Sequence, residues 1–274
     1  MRIAVTGGNG DMGRNLIPYL LEQGHNVVSL DRTIPASHGQ GVNYLIADTR
    51  DFGQLIASIR GCDALIHLAA IRAPSNHPDP VVYADNTVSS YNALSAASAL
   101  GIKQVCLASS VNAIGGAFSR SPTYDYFPLD EQHSTYTEDP YSLSKWVLEQ
   151  QADTFARRYE WMKISSLRLH MLLDSRDRAI QWTAMMGEVA NRHLWAYTLL
   201  DEASRAILLS ISADFTGHEV FYIVAPHTAS AQPSLELARQ YYPHVEIRGN
   251  LANRTGFFNC AKATRLLGWK HQEN

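Results

Sequence analysis

The segment "EDPYSLSKWVLEQQ", residues 138–151, sets Tyr141 and Lys145 four positions apart. On a helix that spacing puts both side chains on one face. The pair is either an exposed helical couple or a base with its charge partner. A free phenol titrates near about 10 and is a poor base at neutral pH. An ammonium one turn away stabilises the phenolate and lowers that value. A neighbouring hydroxyl then serves to hold the oxygen of an alcohol whose proton the phenolate takes. The stretch "LASSVNAIGG" offers Ser109 and Ser110 for that task. These residue types suit proton removal from a secondary alcohol while hydride leaves for a nicotinamide, with a cationic ring adding to the stabilising charge.

A place for such a cofactor can be read at the N-terminus. "AVTGGNGDMGRN" spaces Gly7, Gly10 and Gly13 as G-x-x-G-x-x-G, with Asp11 and Met12 opening the following helix. Glycines permit a tight turn and close approach of backbone to a pyrophosphate, and a helix N-terminus offers free N–H groups. A lone triplet is a weak signal; its place at the first strand–helix junction strengthens it. Asp31 follows Gly13 by 18 residues, at the end of the second strand. A carboxylate there accepts from both ribose hydroxyls and repels a 2′-phosphate, which favours NAD. Arg32, next in the chain, suits a 2′-phosphate and leaves NADP open. Asp48 is placed to reach the adenine edge or to cap the helix of "TRDFGQL".

These residues need a frame. Short apolar runs ("RIAVTG", "HNVVSLD", "VNYLIAD", "CDALIHLAA", "KQVCLASS", "MKISSLRLH", "GHEVFYIVA") alternate with helix-length amphipathic segments, including long helices over 79–100 and 139–159. Strands alternating with helices imply an α/β chain with a parallel, doubly wound sheet of the Rossmann type. The patterning divides the chain into a nucleotide-binding domain over 1–165 and a smaller C-terminal substrate lobe over 166–274, with 214–225 returning to the sheet. A ligand cleft is expected between them. The segment 118–140 is a long loop with several aromatic residues, expected to form one wall of the pocket.

The 274 residues carry a net charge of −3 and no basic run, which gives nucleic acid or an anionic membrane no electrostatic support. No apolar run approaches the roughly 18 residues of a membrane span. Three cysteines scattered along the chain, Cys62, Cys106 and Cys260, suggest free thiols in a reducing compartment. The N-terminus runs straight into a strand, leaving no room for a signal peptide. A cytoplasmic protein with a small-molecule substrate and no metal site is expected.

Taken together, "TGGNGDMG", "HLAA", "DN" in the next helix, "SSVNAIG", "YSLSK" and the C-terminal "LGWK" resemble the extended short-chain dehydrogenase/reductases of the NAD-dependent epimerase/dehydratase family. The similarity covers nearly the whole chain. It implies Ser110, Tyr141 and Lys145 as catalytic residues, with Lys145 also holding the nicotinamide ribose. It adds Leu68, Ala69, Ala70 and Asn86 near the cofactor, Asn86 being otherwise a helix-surface amide. The Asp-Glu pair of the family's dehydratases is replaced by Val111 and Asn112, and valine cannot transfer a proton. His170 stands about where sugar-nucleotide epimerases carry an asparagine. "ASSVNAIGG" and "FFNCAKATRLLGWKH" are similar to segments of uronate dehydrogenase-like members, whose arginine after the sixth strand holds a substrate carboxylate. Arg176 and Arg178 fall in that region, in what reads as a loop; with Ser110, Val111, Asn112 and His170 they form the expected substrate set. The resemblance also implies a homodimer through the two long helices. An epimerase retaining its NAD, and a non-catalytic NAD(P) sensor, are the competing readings.

Overall fold

The computed structural model describes residues 1–36 and 39–272. Seven strands form one parallel sheet: β1 (Arg2–Thr6), β2 (Asn26–Asp31), β3 (Val42–Ile46), β4 (Ala64–His67), β5 (Gln104–Ser110), β6 (Lys163–Leu169) and β7 (Gly217–Ile223). Their spatial order is β7-β6-β5-β4-β1-β2-β3. The chain winds outward from β1 in one direction and from β4 in the other. Ligands bind at such a switch point, at the carboxyl ends of the strands.

Alternation along each strand feeds two cores. Ile3 and Val5 face one layer, with α1 (Asp11–Glu22), α6 (Leu200–Ser212) and α8 (Ala261–Leu267), where Leu16, Leu20, Ile207 and Leu267 are buried. Ala4 and Val28 face the other layer, with α2 (Phe52–Ser58), α3 (Asp79–Ala99) and α4 (Pro140–Arg158). Small residues on α3, among them Ala93, Ala96 and Ala97, let it lie close to Ala152 and Ala156 of α4. Asp139 caps α4, accepting from Ser142 N at 2.9 Å, and Pro140 opens it.

A third core lies beyond the strand ends. It gathers Val111, Ile114, Tyr124, Phe127, Trp195, Tyr222 and Phe257, together with residues of α7 (Ser234–Tyr241). Two sequence expectations change here. The region of Arg176 and Arg178 is not a loop: Ser175 accepts from Arg178 N at 3.3 Å and starts a helix, α5 (Arg176–Met186). The segment 200–212, expected in the second lobe, lies on α1, where Asn15 donates to Asp201 Oδ1 at 3.1 Å and accepts from Ser204 Oγ at 2.8 Å. All three cysteines are free thiols. Among the described residues no helix is long and apolar enough to cross a membrane.

Candidate active site

The turn after β1 is closed by Gly10 N donating to Gly7 O at 3.0 Å. Gly7 has φ +70°, and a Cβ there would stand 2.8 Å from Ala69 N in the loop after β4. A Cβ on Gly13 would stand 2.6 Å from the carbonyl oxygens of both Gly7 and Gly8. Only glycine lets this turn, this helix start and the Leu68–Ala70 loop meet. Gly10 caps α1 without a side-chain hydrogen bond, so its first-turn N–H groups keep their capacity for an anion. At the base of the crevice, His67 Nδ1 and Thr6 Oγ1 lie 2.8 Å apart and pin β4 to β1.

The cleft encloses about 1080 Å³ and runs the width of these strand ends. At one end lie Gly7, Gly10, Asp11, Met12 and Gly13, with Asp31, Arg32 and Asp48 beyond them; Leu68, Ala69, Ala70 and Asn86 line its middle. The Asp31 carboxylate accepts from Asn9 N at 3.0 Å and from Arg32 N at 2.7 Å, so backbone fixes it beside the glycine turn. Asp48 is not the cap of α2. That is Asp51, which accepts from Gln54 N at 3.0 Å. Asp48 instead takes the Arg50 guanidinium, whose hydrogen bonds hold its carboxyl down at about 2. Asn86 is no surface amide. It is buried, accepting from Ile71 N at 2.8 Å and donating to Ile71 O and Ser144 Oγ, both at 3.0 Å. It clamps the loop after β4 to α3 and α4.

At the other end stand Ser110, Tyr141 and Lys145. Ser110 ends β5, accepts from Asn112 N at 3.1 Å and hydrogen-bonds the Tyr141 phenol. Tyr141 is buried against Phe118, edge to face at 5.6 Å. Lys145 Nζ donates to Ala108 O at 2.6 Å and lies 5.8 Å from the Tyr141 ring centre. Burial raises the Tyr141 pKa, and the Ser110 hydrogen bond opposes that rise. Of the nearby charges, Asp139 adds to the rise and Arg72 opposes it. Lys145 is itself held down to about 8 by burial, against the pull of Glu149 one turn on.

Asn112 and His170 line the cleft as well. Asn112 is buried and accepts from Ala117 N at 3.0 Å. His170 Nε2 lies 3.0 Å from His193 O, and the two rings stack with centres 5.5 Å apart. Val111 turns away from the large cleft into the lobe core. Arg176 and Arg178 do not line it either; they sit in the first turn of α5, where Arg178 lies 3.9 Å from Asp174. Of the loop 118–140 only Phe118 lines the cleft, while Tyr124 and Phe127 pack in the lobe core. Arg72, Trp182 and His193 were not read as site residues. Arg72 adjoins "HLAA" in sequence and could have been suspected; nothing in the sequence marks the other two.

A sequence model of the NAD dependent epimerase/dehydratase family matches residues 3–193, well over half of the chain. A dTDP-6-deoxy-L-talose 4-dehydrogenase (NAD(+)) from Aggregatibacter actinomycetemcomitans is 28% identical over 176 residues, 63% of this chain and 62% of its own length. The chain thus matches about three-fifths of that curated relative. The fold is shared with MoeE5 in complex with UDP-glucuronic acid and NAD, at TM-score 0.75 and 20% identity, covering 100% of this chain and 95% of that one. It is shared equally with a mutated uronate dehydrogenase, at TM-score 0.71 and 19% identity, covering 100% and 82%.

Proposed function

Since the chain belongs to the NAD dependent epimerase/dehydratase family, we propose that it is an NAD-dependent oxidoreductase of a secondary alcohol or ketone on a small polar substrate, a sugar or sugar acid. One observation carries this reading: Ser110, Tyr141 and Lys145 share a single cleft with the glycine turn of β1 and with Asp31. The residues fit the cofactor. A cradle too tight for any Cβ, a helix start free of a side-chain cap and a backbone-fixed carboxylate match a pyrophosphate and a ribose diol. Gly7, Gly10, Asp11, Met12 and Gly13 would hold the diphosphate, Asp31 and Arg32 the adenosine ribose with Asp48 near the adenine, and Lys145 the second ribose. Leu68, Ala69 and Ala70 would line its path, with Asn86 holding their loop in place. When bound, the nicotinamide accepts or returns the hydride.

Tyr141 takes the hydroxyl proton, and Ser110 holds the same oxygen. Asn112 and His170 supply further polar contacts to the substrate. Residues 1–165 form most of the cofactor domain, joined by α6, β7 and α8, and the rest of 166–274 forms the lobe that covers the substrate; residues 37–38 and 273–274 lie outside those described. We place the enzyme in the cytoplasm as a homodimer through α3 and α4. Exposed Val81, Val88 and Tyr91 on α3 and Leu143 on α4 support that pairing, and sedimentation at two chain masses would check it.

Absorbance at 340 nm over a panel of sugars and sugar acids is the test. A dehydrogenase changes it in step with turnover, whereas an epimerase acting on the same residues gives no net change. Tyr141→Phe should cut turnover by about 100- to 10,000-fold while NAD affinity stays within a few-fold; equal loss of both would remove the base assignment. Biological activity untouched by Tyr141→Phe would favour the sensor reading.

A further inference from the structure

His193 closes the helical turn Gly187–His193 that follows α5, and it lines the cleft. Leu169 pairs with Ser110, so His170, next in the chain, stands beside that serine, with the His193 ring stacked on it. The Nδ1 of His193 is buried without a hydrogen-bond partner. Its Nε2 is not buried and has no partner among the described residues. Other interior histidines differ: His67, His133 and His218 each engage both ring nitrogens, at 2.7 to 3.4 Å. A polar group drawn out of water without a partner costs free energy that a ligand can recover.

The ring is nevertheless held in place. It lies parallel to His170 within 10°, with centres 5.5 Å apart, and Trp182 meets it edge-on at 5.0 Å. His193 O accepts from His170 Nε2 at 3.0 Å. The next two residues, Leu194 and Trp195, are both buried and have φ +51° and +50°. Two consecutive side-chain-bearing residues in the left-handed region persist only where the surroundings impose them. Here Trp195 N donates to Ala190 O at 3.3 Å and Trp195 O accepts from Ala229 N at 2.8 Å. Strain of this kind gathers where a group is kept ready for a ligand.

Burial, with the Arg192 guanidinium beside it, brings the His193 pKa down to about 4, and burial brings the stacked His170 down to about 3. His193 is therefore neutral at pH 7 and carries one ring proton. An orphaned buried N–H is rarer than an orphaned acceptor, which leaves Nδ1 bare and puts the proton on Nε2. We infer that His193 donates from Nε2 to a neutral substrate oxygen other than the reacting one. The substrate is then a polyhydroxylated molecule and not a simple alcohol, gripped at two oxygens. The inference rests on the oxidoreductase reading of the same cleft, in which Ser110 and Tyr141 already hold the reacting oxygen.

Nitrogen-15 NMR of the histidine rings in the NAD-loaded protein tests this, with His193 assigned by its loss in His193→Gln. At pH 7 the ring should show a protonated Nε2 and a bare Nδ1. At least one of D-glucose, D-galactose, D-xylose and D-galacturonate should shift the Nε2 resonance and leave His133 and His218 in place. His193→Phe keeps the ring stack and loses the donor; it should weaken that sugar by about 10- to 100-fold in calorimetric titration and leave NAD unchanged. His193→Gln restores an N–H and should recover most of the loss. A proton on Nδ1, an Nε2 resonance that no sugar moves, wild-type affinity in His193→Phe, or no recovery in His193→Gln would overturn the assignment. NAD titrated first reports on the cleft itself: failure of that step sinks the oxidoreductase reading, while bound NAD with the proton on Nδ1 sinks the role of His193 alone.

Discussion

Burial raises the Tyr141 pKa, and that has a measurable consequence. If Tyr141 is the base proposed above, only its deprotonated form accepts the alcohol proton, so kcat/KM for oxidation should climb on the alkaline side. Arg72 lowers the phenol pKa through its charge. Arg72→Gln should therefore move the climb to higher pH. Because Arg72 is largely exposed and pairs with Asp11, the move should be modest, about a few tenths of a pH unit. A pH–rate profile that stays in place would take Arg72 out of the electrostatics of the site. Lys145 gives a prediction of the opposite kind. Its pKa falls from 10.5 unfolded to about 8 folded. Between those values the unfolded chain binds the extra proton, so stability from this group rises with pH across that window, and the full penalty is present below it. Lys145→Met should raise unfolding stability at neutral pH by on the order of 1–3 kcal/mol, with the gap closing at high pH in denaturant titrations.

The turn between β1 and α1 was readable because its glycines are a steric requirement. Gly13→Ala would push a methyl group to 2.6 Å from two carbonyl oxygens and lift α1 from the turn. NAD affinity should drop more than about tenfold and stability by about 1–3 kcal/mol, measured by fluorescence titration and denaturant unfolding; an alanine tolerated on both counts would contradict the packing described. The helix α5 was not readable for the converse reason. Ala179 is its one buried residue, so no apolar period marks it, and "DSRDR" looks like a solvated loop. The Ser175 cap that starts it is visible only once Arg178 N is seen beneath its hydroxyl. Asn86 shows the same limit. The sequence places it on a helix, but its partners Ile71 and Ser144 come together only in the fold.

Across the molecule, a buried ion pair ties α4 to the sheet. Glu149 takes Arg168 Nε and Nη2 at 2.9 and 2.8 Å, Ser109 donates to Glu149 at 2.6 Å, and Arg168 reaches Tyr222 OH at 3.1 Å. One network thus joins α4 to β5, β6 and β7. Arg168→Met would strand a buried carboxylate and should cost about 3–5 kcal/mol, whereas adding Glu149→Leu should recover much of it. Equal losses in the single and double variants, by chemical denaturation, would show that the pair is not coupled. The parallel, doubly wound sheet followed directly from the alternation of strands and helices. The destination of the 118–140 aromatics did not, because Tyr124 and Phe127 meet Tyr242 and Phe257 from more than a hundred residues away. Local pattern shows that such rings are buried, not where.

The thiols carry a practical consequence. Burial pushes Cys106 up to about 11 and Cys260 up to about 12, raises Cys62 as well, and none of the three lines the cleft. At neutral pH they persist as weakly nucleophilic thiols. The native chain is therefore a quiet background for maleimide chemistry, and a single cysteine placed on the exposed face of α5 would take a fluorophore selectively and report ligand arrival beside His193.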